Sequence, residues 1–335
     1  MKKKVLLTFC TLLVSIVICS CSSNEEVVKP TNNFAEQISD QARSNFVSSI
    51  DIINQKFQSP KTRALTMKDV SDFSEWALCG IVADGLGGGV GGLLGSAIAS
   101  TAYAKYLNSV KQKMNTTRGL SDDASLKYIN VYNDSRYKDV EPKISFVFCD
   151  GNPQNALDSI GIQHNQLLNE IEMNAADYTT TYGDIDYVKL VQESKRIASE
   201  IGLEGVTDNN IVNEDFLAFC DNTVKALASI PSNSENNDQA FDKITNSLKE
   251  SAKMNTNDAQ FLAILAKLLV GPMVFDIDRE NIYSYSMSLN DALKNSQLSE
   301  KDINYAKALF QVAVCSSLYW NTQIENNNLK SVRRN

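Results

Sequence analysis

The residue types in this chain that could do chemistry are few: one histidine, seven cysteines and two Asp-x-Asp pairs. With His164 as the sole histidine, a zinc site built on a histidine cluster is excluded, and no cysteine spacing supplies the ligands instead. A lone imidazole can still act as a general base or activate a cysteine. His164 sits in Gly161-Ile162-Gln163-His164-Asn165-Gln166-Leu167-Leu168, which reads as helix, where capping or packing is its ordinary use. Asp184-x-Asp186 and Asp276-x-Asp278 have the opening of calcium loops, but neither continues with the glycine and distal glutamate of an EF-hand. They read as helix starts or solvated turns. Gly87-x-Gly89-x-x-Gly92 matches the dinucleotide fingerprint in form, without a βαβ context or an acid about 20 residues later. No G-x-S-x-G elbow and no P-loop lysine occur. The expectation is therefore no catalytic residue, no cofactor and no metal. A hydrolytic enzyme resting on His164 stands as an alternative.

The elements around these residues are helical. Phe34, Ile38, Ala42, Phe46, Ile50, Ile53 and Phe57 recur every three or four residues, which predicts one long amphipathic helix. Further helices are predicted over Gln154–Ala175, Asp184–Ile201, Asn210–Ile230 and around Phe241, Ile244 and Leu248. Asp258–Val270 is nearly all apolar and predicts a core helix, with Gly271-Pro272 as its stop. Phe275–Asn281 reads as a connector and Ser288–Lys294 as a short helical stretch. Ser299 caps the last helix, with Asp302 at the capping-box position; that helix is expected to run to Trp320. Lys143–Phe148 is the one strand candidate. The sum is an all-α bundle of about eight helices, with a helical body over 34–325 and a polar tail over 326–335.

Within that body, the stretch 79–105 stands apart. Gly85, Gly87, Gly88, Gly89, Gly91, Gly92 and Gly95 fall inside eleven residues, and no charge appears between Asp84 and Lys105. Wound as a helix, Gly87, Gly91, Gly95, Ala99 and Tyr103 form one row, beside Gly88, Gly92, Ser96, Ser100 and Ala104. The two rows merge into a face of small residues that another backbone can approach closely. Seven glycines cost about 6 kcal/mol of helix stability against alanine, so the helix needs a close partner or an apolar solvent. As a lone membrane span it is marginal: Leu86, Val90, Leu93, Leu94 and Ile98 supply only about −2 to −3 kcal/mol. The pattern resembles the glycine-zipper segments of pore-forming bacteriocins and of some envelope proteins. That resemblance implies a helix-packing or membrane face at Gly87, Gly88, Gly91, Gly92, Gly95, Ser96 and Ala99, serving a protein partner or self-association. A buried helix within the bundle, a membrane-active segment and a flexible loop are the three readings.

The N-terminus gives an address. Lys2, Lys3 and Lys4 precede an apolar run from Val5 to Ile18, which is a signal-peptide pattern over 1–20. At 14 residues the run is short of the ~20 that span a bilayer. Its end, Ile18-Cys19-Ser20-Cys21, resembles the lipobox of bacterial lipoproteins. The resemblance implies that Cys21 is the first mature residue and carries lipid, palmitate among it, anchoring the chain to the outer membrane. Residues 21–33 then form a flexible tether. Its start, Ser22-Ser23-Asn24-Glu25-Glu26, resembles the acidic tether of surface lipoproteins of Bacteroidota; a plain hydrophilic spacer is the alternative. The segment around His164 resembles one in exported bacterial proteins to which no activity is assigned, so it brings no role.

Losing Lys2, Lys3 and Lys4 moves the formal charge from −8 to −11, which excludes nucleic acid as a partner on electrostatic grounds. Cys79, Cys149, Cys220 and Cys315 remain beyond the anchor. Disulfides and buried thiols are both open for them. The expectation is an exported envelope lipoprotein that binds or scaffolds, with the lipid bilayer as its partner through Cys21. The alternative is a membrane-active or self-assembling protein acting through the glycine face.

Overall fold

A computed structural model of the chain describes residues 32–57, 83–104, 130–134, 159–174, 186–203, 213–228, 237–275 and 279–332. In order, the helices are α1 (Asn32–Phe57), α2 (83–104), α3 (Ile160–Met173), α4 (Tyr187–Glu200), α5 (Glu214–Ala228), α6 (Asn237–Glu250), α7 (Thr256–Phe275), α8 (Arg279–Lys294) and α9 (Glu300–Val332). A 3-10 turn, Val131–Asn133, precedes α3. Among the described residues there is no strand, and the fold is an all-α bundle. The chain divides into two units, Met1–Asp40 and Gln41–Asn335. Of the first, the described part is the opening turns of α1. The expected signal peptide, Cys21 and most of the tether lie outside the described residues, as do Cys79, Cys149, the strand candidate 143–148, Asp184, Asp276 and Asp278.

Helix α9 is the axis of the second unit. Residues 306–320 are buried without interruption, so this helix is covered on every side. Helices α3, α7 and α8 pack directly against it. Helices α5 and α6 pair, α6 lies on α7, and α4 lies on α3. The stripe of α1 is buried at Ala42, Phe46, Ile50 and Ile53, and the Phe46 ring stacks at 6.0 Å on Phe310 of α9. Arg43 reaches from α1 to the starts of two other helices, bonding Asp258 and Asp302 at 2.6 Å each. Lys301 bonds the far oxygen of Asp258. Ser299 caps α9 as expected, its Oγ accepting the Asp302 N–H at 3.2 Å.

Three helices run well beyond the bounds read from the sequence. Helix α7 does not stop at Gly271-Pro272 but continues to Phe275. Proline lacks the N–H that would satisfy the carbonyl four residues back, here that of Leu268. Asn54 of α1 supplies the missing donor, its Nδ2 lying 2.7 Å from Leu268 O. Helix α8 begins at Arg279 rather than near Ser288. Tyr285, inside the added turns, is buried, bonds Asn54 Oδ1 at 2.7 Å and meets the Phe57 ring at 5.3 Å. Helix α9 runs on past Trp320 to Val332, into the stretch read as a tail.

The glycine block is helical but folded back on itself. Gly92 has φ +62°, in the left-handed region that glycine enters without a Cβ penalty. A Cβ placed on Gly87 would lie 2.7 Å from Gly95 O and 2.8 Å from Ala99 Cβ. Residues eight apart on a straight helix are separated by about 12 Å. The two arms of α2 on either side of Gly92 therefore form a tight hairpin, and the small residues of one arm face those of the other.

The outer sides of this hairpin are covered as well. A Cβ on Gly91 would lie 2.6 Å from the Phe216 ring of α5, and one on Gly95 would lie 2.9 Å from it. A Cβ on Gly88 would meet Val312 of α9 at 2.9 Å. No described helix is long and apolar enough to cross a membrane.

Candidate functional site

Asp84 opens the uncharged block and is fully buried in α2. A buried carboxylate is very costly unless it is paired and hydrogen-bonded. Helix α9 supplies two donors to its Oδ2: the Ser316 hydroxyl and, at 3.1 Å, the Trp320 indole N–H. Helix α3 brings His164, whose Nε2 lies 3.5 Å from the same oxygen. That contact is in ion-pair range but too long for a good hydrogen bond. Asp84 Oδ1 and His164 Nε2 have no hydrogen-bond partner among the described residues. The other ring nitrogen, Nδ1, is 2.8 Å from Ser96 Oγ, on the second arm of the glycine hairpin. Ser96 in turn donates to Leu93 O at 2.7 Å.

Gly161 sets the reach of His164. A Cβ at Gly161 would collide with Gln311 O and lie 2.7 Å from Cys315 Sγ, so only glycine lets α3 come this close to α9. His164 follows at the i+3 position, on the same face. The polar seam continues along that face. Asn165 Nδ2 donates to Cys315 O at 2.9 Å. Asn169 Oδ1 accepts the Val131 N–H at 3.2 Å. Glu172 Oε2 accepts the Tyr319 hydroxyl at 2.6 Å.

Carboxylate, imidazole and hydroxyl thus stand in the order of an acyl-transfer triad: Asp84, His164, Ser96. The surroundings are not those of a working one. All three side chains have zero exposure, and the Ser96 proton is directed at Leu93 O rather than at the ring. With Ser316 and Trp320 of α9 on Asp84, the arrangement joins three helices that no local signal connects.

Of the sequence-expected residues, Gly87, Gly88, Gly91, Gly95, Ser96 and Ala99 are buried inside the bundle, and Gly92 forms the turn. Asp186 caps α4, its carboxylate accepting the Lys189 N–H at 3.1 Å. No cluster of three metal-ligating side chains occurs among the described residues. Cys220 is a buried free thiol. Sequence reasoning missed Asp84, Ser316, Trp320, Glu172 and Tyr319 as polar partners. The one signal was Asp84 itself, a charge next to a long apolar run that demands a counterpart. Comparison with family models, curated proteins and solved structures finds no match, so the functional argument rests on these residues alone.

Proposed function

We propose that this chain is an exported, lipid-anchored protein of the cell envelope whose helical body binds or scaffolds and does not catalyse. The observation that carries the non-catalytic part is the complete burial of Asp84, Ser96 and His164, which among the described residues stand in the order of a hydroxyl-nucleophile triad. Ser96 has no exposed surface while the glycine hairpin is seated. The anchor rests on Ile18-Cys19-Ser20-Cys21 at the end of a short apolar run, and the outer membrane is the address that this pattern supports. Metabolic labelling with a palmitate analogue tests it: the full chain takes up label, and the Cys21→Ala variant does not. Label that survives Cys21→Ala refutes the anchor. Pull-down from intact cells, combined with surface-protease mapping, identifies the partner and the leaflet.

A hydrolytic reading draws on the Asp84, His164 and Ser96 alignment. Covalent labelling of Ser96 in the native chain by a fluorophosphonate probe would establish it, and absence of labelling supports the binding role. A membrane-active role would require the hairpin arms to part, since Gly87 is occupied by Gly95 and Ala99, and Gly91 by Phe216. Dye leakage from liposomes exposed to the protein is the measurement that would favour it.

A further inference from the structure

The last turn of α7 is helical against its own sequence. Gly271 and Pro272 belong to the two weakest helix-forming residue types, and both sit inside α7. Proline gives no N–H to the Leu268 carbonyl. Asn54 of α1 makes up the loss, its Nδ2 donating to Leu268 O at 2.7 Å. The same carboxamide serves the first turns of α8, where its Oδ1 accepts the Tyr285 hydroxyl at 2.7 Å. The Leu268 carbonyl can only accept, so it fixes which way the amide faces. Turned over, Asn54 would set oxygen against oxygen. Asn54 and Tyr285 are both buried, where a polar group that loses its partner is costly.

Helix α1 carries this carboxamide as one end of a longer attachment. About three turns earlier along α1, Arg43 bonds Asp258 and Asp302 at the starts of α7 and α9, and its guanidinium lies 5.1 Å from the centre of the Phe261 ring. Between the two ends, the Phe46 ring meets Phe261 at 6.4 Å and Phe310 at 6.0 Å. Asp258 and Leu268 are about 15 Å apart along α7, close to the separation of Arg43 and Asn54 along α1. Helix α1 therefore runs beside α7 in the same direction, pinned near both ends. Its other side, with Ser44, Asn45, Ser48, Ser49, Asp51 and Gln55, is exposed, so α1 can lift without displacing another described element.

We propose that α1 is a strap, and that the end of α7 and the start of α8 keep their helical form only while it is seated. Residues 41–57, 271–275 and 279–287 then open and close as one unit, while the buried middle of α9 stays folded. When α1 lifts, Leu268 O loses its donor, and Tyr285 loses both Asn54 and the Phe57 ring at 5.3 Å. The chain there returns to what its local sequence favours, a helix stop at Gly271-Pro272 followed by a connector. Helix α1 directly follows the N-terminal segment of the chain, so a partner or load on that segment acts on the end of α7 and the start of α8 through one helix. The strap rests on contacts within the second unit and is independent of the lipid anchor.

Amide hydrogen exchange of the full chain in detergent, read by mass spectrometry at rising sub-denaturing urea, tests the strap on the unaltered protein. Peptides from 41–57, 271–275 and 279–287 are expected to share one urea dependence and to be less protected than 306–320. Separate dependences, or protection of all three equal to that of 306–320, overturn the strap. Variants then ask whether the coupling runs along α1. Arg43→Met alters the far end, and should speed exchange at 279–287 by about tenfold. Unchanged exchange there in the folded variant overturns the coupling. Asn54→Ala should speed exchange at 273–275 and 279–287 by a similar factor and leave 306–320 as it was. Adding Pro272→Ala restores an N–H to Leu268 O, and should slow 273–275 again while 279–287 stays fast. No recovery at 273–275 overturns the role given to Asn54. The urea series on the unaltered chain decides the question for any variant that does not fold.

Discussion

Replacing Gly87 with alanine separates a folded-back hairpin from a straight helix. On a straight, exposed helix the change stabilises by about 1 kcal/mol, because alanine loses less backbone entropy than glycine. In the hairpin the new methyl meets Gly95 O at 2.7 Å, Ala99 Cβ at 2.8 Å and Ser96 Cα at 3.0 Å. Ordinary contact begins near 3.4 Å, and two of these three atoms are backbone that cannot rotate away. The arms must part by roughly 0.7 Å, a gap of the size that forfeits a quarter to a half of each contact across it. Overpacking of this kind costs about 1–3 kcal/mol. Set against the helix gain of about 1 kcal/mol, the net expectation is a loss of up to about 2 kcal/mol. Thermal unfolding followed by circular dichroism should show Tm lowered by up to roughly 5 °C. Gly89→Ala is the internal control. There the methyl meets only the tips of the Leu262 side chain, at 3.1 and 3.2 Å, which can give way. That variant should be neutral or up to about 1 kcal/mol more stable. A Gly87→Ala chain as stable as Gly89→Ala would refute the hairpin.

Other perturbations test the remaining contacts. Gly92→Ala has open space around it but φ +62°, and should destabilise by about 1–2 kcal/mol through backbone strain alone, read from urea unfolding. Arg43→Met leaves Asp258 and Asp302 facing each other's helices without their shared cation, and should cost about 3 kcal/mol in the same assay, the low end for a buried pair because Arg43 is partly exposed. Burial pushes the Asp258 carboxyl up, but hydrogen bonds from Lys301 and Arg43 outweigh it and hold the group below its ordinary 3.8. A group with a depressed folded value stabilises above its unfolded value and loses that contribution as pH falls through the folded one. The acid limb of the Tm-against-pH curve should therefore be shallower in Arg43→Met than in the wild type, and equal slopes would contradict the assignment. At Cys220, burial above all, helped by the charge of Asp221, holds the thiol well above the usual cysteine range. Maleimide should modify it only in denaturant, as mass mapping of the peptide will show.

Much of the helical frame was legible because its signals are local. The stripe of Ala42, Phe46, Ile50 and Ile53 predicts a buried face from spacing alone, and the structure buries all four. Ser299 with Asp302 marks a helix start whose cap is made within one turn. The failures have long-range causes. Gly271-Pro272 reads as a stop because the partner that rescues the Leu268 carbonyl is Asn54, more than 200 residues earlier in the sequence. The opening turns of α8 look like a connector because Tyr285 gains its helix-holding contacts from Asn54 and Phe57. His164 reads as a packing residue, and nothing around it names Asp84 or Ser96.

Composition and pattern determined the class of this protein: mostly amphipathic helix, acidic, with a glycine-dense apolar block and an N-terminus built like an export and lipidation signal. These follow from periodicity, caps and residue size, which act over a few residues at a time. What only the tertiary structure decided is what the glycine face touches. Seven glycines permit close approach without specifying the neighbour, and the turn at Gly92 lets the face close on itself, with α5 and α9 covering the rest. The same folding brings one buried carboxylate to the chain's one imidazole, a pairing set by the meeting of three helices rather than by any motif.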